Sequence, residues 1–89
     1  MMTIHGGAIE SYEIGIEMGL GVSVACFGVY FETDNEGRAD NRRGVIFSSP
    51  KSNLLMMGCQ VYLTNHKSFI DATNQTCGET ITLIGNKYK

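Results

Sequence analysis

Glycine placement constrains this chain more than any other feature. Eleven of its 89 residues are glycine, and Gly15, Gly19, Gly21, Gly28 and Gly58 lie inside apolar stretches. Glycine inside a helix costs about 1 kcal/mol relative to alanine, so long helices are disfavoured. The same residues suit bent strands, turns and bulges.

The apolar residues around these glycines alternate. From Tyr12 to Cys26 the even positions are Tyr12, Ile14, Ile16, Met18, Leu20, Val22, Val24 and Cys26. That is the period of a half-buried strand. A helix over residues 8–18 competes, with Ile9, Tyr12 and Ile16 as one stripe. Strand is favoured because Ile14 and Ile16 are β-branched and Gly15 interrupts the helix. Between Val22 and Thr33 both faces are apolar, as in a strand packed on two sides. Gly44 to Ser48 reads as another strand through Val45, Ile46 and Phe47. In Leu54–Thr64 the odd residues Leu55, Met57, Cys59, Val61 and Leu63 form the apolar face. Ser68 and Asp71 fit a capping box that starts a short helix through Ala72 and ends near Gly78. A strand over Glu79–Ile84 follows, and the tail Asn86–Lys89 is expected to fray. No internal repeat is evident.

These elements predict a mainly β fold: a small antiparallel sheet or barrel of five to six strands with at most one short helix. The alternative is an α+β fold with an N-terminal helix at 8–18. The antiparallel expectation rests on connections too short for helical crossovers. The length suits one domain over 1–89, with a marginal core.

Net charge is −2 and charged residues make up 18% of the chain. That balance argues against nucleic-acid binding, since phosphate neutralisation calls for a basic excess. Charge this sparse leaves apolar surface to cover, and edge strands invite pairing, so a homodimer through an edge strand is expected. No basic segment followed by an apolar run opens the chain, and no apolar run is long enough for a membrane helix. Together these suggest a cytoplasmic protein with reduced thiols and no membrane partner. The Asn74-Gln75-Thr76 acceptor triplet carries no weight without a secretion signal.

Each chemical constellation is incomplete. Cys26, Cys59 and Cys77 have no paired-cysteine spacing. Cys26 and Cys59 read as buried thiols. Cys77 sits in a polar stretch, where His66 would approach it only through the fold. His5, His66, Asp71 and Cys77 form no metal-ligand pattern. Gly19-Leu20-Gly21 is followed by strand-like residues rather than by the helix a phosphate loop needs. Glu10, Glu13 and Glu17 form an acidic cluster in sequence, with Glu13 and Glu17 sharing the solvated face of a strand. No catalytic residue, cofactor or metal is therefore expected.

The most suggestive surface is the polar stretch from Asp34 to Arg43, since long polar tips between strands carry recognition. Arg38, Asp40, Asn41, Arg42 and Arg43, with Glu13 and Glu17, are the candidate protein-binding residues. Arginine is enriched at interface hot spots. The chain thus reads as a small non-enzymatic protein-binding module, an inhibitor that blocks a partner's surface. By analogy of size, phage and mobile-element inhibitors such as anti-CRISPR proteins are the comparable kind. A β-barrel binding small ligands or single-stranded nucleic acid through Tyr30, Tyr62 and the arginine loop is the alternative.

Overall fold

The computed structural model describes residues 1–33, 42–47, 51–63, 68–72 and 80–89. The strands are β1 (Met2–His5), β2 (Ala8–Glu10), β3 (Ile14–Met18), β4 (Ser23–Phe27), β5 (Tyr30–Glu32), β6 (Arg43–Phe47), β7 (Asn53–Met57), β8 (Gln60–Val61), β9 (Ile70–Asp71), β10 (Thr80–Ile84) and β11 (Lys87–Tyr88). They form three sheets: sheet A in the order β1-β4-β7-β10, sheet B in the order β11-β8-β5-β2, and sheet C in the order β3-β6-β9. Every pairing is parallel. The chain therefore coils as a three-sided parallel β-solenoid. Each turn of the coil adds one strand to each sheet, and the fourth, partial turn adds β10 and β11.

The mainly β expectation holds, but the antiparallel sheet of five to six strands does not. Short connections imply antiparallel pairing only when consecutive strands are neighbours in one sheet. Here consecutive strands lie on different sheets, and each pairs with a strand one full coil away. The strand count rises because several apolar runs are broken at corners. Leu54–Thr64 divides into β7 and β8, and Tyr12–Cys26 into β3 and β4. Residues 8–18 are strand, as favoured over the alternative helix there, and the short helix expected to start at Ser68 does not form over 68–72. Residues 8–18 hold β2 and β3, and Ile70–Asp71 is β9. The Ser68 hydroxyl donates to the Ile70 carbonyl at 3.2 Å, rather than capping a helix. The tail is paired, not frayed: Lys87 N donates to Cys59 O at 2.9 Å and Lys89 N to Val61 O at 2.8 Å.

The corner between sheets A and B explains the change of parity. Gly6, Gly28, Gly58 and Gly85 all occupy it with φ between 62° and 64°. This left-handed conformation is costly for residues with a Cβ and free for glycine. Backbone bonds continue through the corner, with Gly28 N donating to Met57 O at 3.0 Å and Gly58 N to Ile84 O at 2.9 Å. At Gly58 the turn shifts the inward face by one residue. Leu54 and Met56 point inward before it, Cys59 and Val61 after it, and all four are buried. Leu55 and Met57, expected inward from alternation alone, are partly exposed.

The core is stacked in rows along the solenoid axis. Val24 pairs in register with Leu54, and Cys26 with Met56. Phe31 lies beside Val61 on sheet B, while Met18 and Phe47 pair on sheet C. Phe69 meets Phe31 edge to face, with ring centroids 5.0 Å apart. Each such fully buried apolar side chain stabilises the fold by about 1.5–3 kcal/mol.

Candidate binding surface

Sheet B presents two rows to the outside. One row runs Ala8, Tyr30, Gln60, Lys87 in register. The next begins with Glu10 opposite Glu32. Tyr62 continues it, as Tyr62 N donates to Phe31 O at 2.9 Å. The alternation of β5 buries Phe31 and turns Tyr30 and Glu32 outward.

These outward side chains form a connected group. The Tyr30 hydroxyl donates to Glu32 Oε2 at 3.1 Å. Tyr30 and Tyr62 meet edge to face, with centroids 6.1 Å apart and ring planes at 76°. Partial desolvation, then the Glu32 carboxylate, raise the Tyr30 phenol above its ordinary value. Tyr30 thus stays a neutral donor that holds the Glu32 carboxylate in place. The result is an open patch of two aromatic rings flanked by two carboxylates, and no enclosed pocket lies among the described residues.

The residues singled out from sequence are placed differently. Arg38, Asp40 and Asn41 lie outside the described residues. Arg42 is 2% exposed, and its Nε donates to the Tyr12 carbonyl at 3.1 Å. It braces the wall of the solenoid between β3 and β6. Arg43 Nη1 donates to the Arg42 carbonyl at 3.1 Å, and its Nε lies 3.6 Å from Asp71 Oδ2. Glu13 and Glu17 are exposed, as expected. The structure brings two of the expected clusters side by side on sheet C: Ile14 pairs with Arg43, and Arg43 N donates to Glu13 O at 2.8 Å.

Glu32 was missed by sequence reasoning, and Glu10 was read only as part of a cluster with Glu13 and Glu17. A signal for both existed. Aligning the corner glycines aligns four nine-residue segments: Met2–Glu10, Val24–Glu32, Leu54–Tyr62 and Ile81–Lys89. In that alignment Glu10, Glu32, Tyr62 and Lys89 occupy one position.

The thiols expected to be buried are so. Cys26 and Cys59 are both inaccessible, and Cys59 Sγ donates to the Cys26 carbonyl at 3.5 Å. Burial, with Cys59 beside it, pushes the Cys26 thiol up to about 11, so it is protonated at neutral pH and a poor nucleophile. Cys77 and His66 lie outside the described residues. Among the described residues, no three histidine, cysteine, aspartate or glutamate side chains converge as metal ligands. No helix among them is long and apolar enough to cross a membrane. No family model, curated protein or solved structure matches the chain.

Proposed function

We propose that the protein is a small binding module that docks a protein partner on the outward face of sheet B and inhibits it by covering its surface. The observation that supports this is the Tyr30–Tyr62 pair beside the register-matched Glu10 and Glu32. Tyrosine offers large contact area at low cost in side-chain entropy and is enriched at hot spots. A sheet face with no pocket among the described residues suits a macromolecular surface better than a small ligand, which needs a concave site. The two carboxylates favour a partner surface rich in lysine and arginine. Occlusion by such a face requires no catalytic group.

The alternative reading, a face that stacks bases or sugars, draws on the same two rings. Glu10 and Glu32 oppose it for nucleic acid, because they repel a phosphate backbone.

The experiment is capture of partners from the native host by the wild-type chain and by a Tyr30→Ala/Tyr62→Ala variant. A protein with a basic surface that binds the wild type and is lost, or weakened at least about tenfold, by the variant supports the proposal. A partner retained equally by both chains refutes the assignment to this face. Binding of single-stranded oligonucleotides or oligosaccharides that depends on Tyr30 and Tyr62 would favour the alternative.

A further inference from the structure

The two ends of the solenoid carry matching rows, and this holds independently of what sheet B binds. At one end β1 pairs only with β4, and β2 only with β5, among the described strands. At the other, β10 pairs only with β7 and β11 only with β8. All these edges leave backbone donors and acceptors of the same parallel ladder open. Inward-row residues at both ends are accessible: Met2 at the first, and Ile81, Leu83 and Tyr88 at the second.

We infer that these ends are docking surfaces for a second copy of the chain, stacked head to tail as a continuation of the coil. The register chooses this occupant. Met2 pairs with Val24, Val24 with Leu54 and Leu54 with Ile81, so β1 of a second copy would set Met2 on Ile81 and Ile4 on Leu83. On sheet B the same continuation sets Ile9 on Tyr88. Each apolar row is thereby extended by an apolar residue.

Charge agrees with the register. Lys89 N donates to Val61 O and Leu63 N donates to Lys89 O, which puts Lys89 opposite Tyr62, in the row that begins with Glu10 and Glu32. The next coil would place Glu10 of one copy opposite Lys89 of the other. Opposite charges directly across a strand pair are favourable, and like charges are not. Sheet C, with three strands, leaves one strand's width between β9 and the second copy's β3. Sheets A and B therefore carry the contact. The interface is heterologous, with different surfaces meeting, so a copy bound at one end keeps its other end free.

Sedimentation velocity on the purified chain over a range of concentrations tests this. The expected result is a mean mass that rises with concentration past the dimer. Glu10→Lys puts two lysines at every junction, and Lys89→Glu puts two glutamates there. Each variant alone should associate about fivefold more weakly than the wild type. Mixing the two should restore association, since each junction between unlike copies again joins a lysine to a glutamate. Both positions are exposed, so circular dichroism should show the fold unchanged. A constant monomer mass, single reversals without effect, or a mixture no stronger than its components would each overturn the inference.

Discussion

The Phe69 ring occupies the space in front of Gly44, where a side chain on residue 44 would overlap it. Gly44 N also donates to Phe69 O at 2.8 Å, so backbone and ring are fixed together. Gly44→Ala must therefore expel the ring from its contact with Phe31. The expected cost is about 3 kcal/mol, since added volume in a packed core forces side chains and backbone to shift. Phe69→Ala should cost about 3–5 kcal/mol through the cavity it leaves. The double variant should cost clearly less than the sum, because the small side chain relieves the overlap. Urea denaturation of the three variants measures this, and strict additivity would contradict the contact.

Asn86 closes the last corner with its side chain. Its Oδ1 accepts from Cys59 N at 2.9 Å, and its Nδ2 donates to Met56 O at 3.2 Å. Both backbone groups belong to the preceding coil. Asn86→Ala should lower stability by about 1–3 kcal/mol by leaving them unpaired. Asn86→Asp keeps the acceptor but loses the donor, so it should fall between wild type and alanine in thermal melting. Equal melting of all three would show that β11 is held by its backbone alone.

Strand positions were largely legible because alternation is local. β6 and β10 fall where Gly44–Ser48 and Glu79–Ile84 read as strands, and the burial of Cys26 and Cys59 follows from their apolar neighbours. The pairing was not legible for a physical reason. Parallel partners are a coil apart in sequence, and unequal segments between β5 and β6 and between β8 and β10 hide the repeat from a fixed-period search. The corner shifts parity, so extending one alternation through Gly58 put Leu55 and Met57 on the wrong side. The burial of Arg42 was not legible for another reason: it follows a run of polar residues, yet its guanidinium finds the Tyr12 carbonyl inside the wall. The Tyr30–Tyr62 contact depends on the register of β5 and β8, which only the repeat discloses.

The corner conformation can be tested at Gly58. Its φ is 64°, and a Cβ there would meet no atom within 4 Å. Any cost of substitution is thus conformational rather than steric. Gly58→Ala should lose about 1–2 kcal/mol, the penalty for a left-handed residue with a Cβ. Gly58→Asn should lose less, because asparagine tolerates that region, and Gly58→Val more, because β-branching does not. The order Asn, Ala, Val in chemical denaturation is the discriminating result. Equal losses would mean that the corner can adopt another conformation.

Stability should decline in alkali, and Cys26 gives the sign. Its thiol is raised from an ordinary 9.0 to about 11, by burial first and by Cys59 second. Between those values the unfolded chain has released the proton and the folded chain has kept it. The unfolded state then binds fewer protons, so unfolding becomes more favourable as pH rises. The stabilisation is complete below about pH 9 and is lost progressively towards pH 11. Burial also raises the Tyr12 phenol, which extends the decline at the upper end. Urea midpoints should therefore be level from neutral pH to about 9 and fall above it. Cys26→Ala removes one titrating group and should make the fall shallower, even though the variant starts from a lower midpoint. A wild-type midpoint unchanged at pH 10.5, or a slope identical in the variant, would mean that the Cys26 thiol is not held in the dry row between Ile4 and Met56.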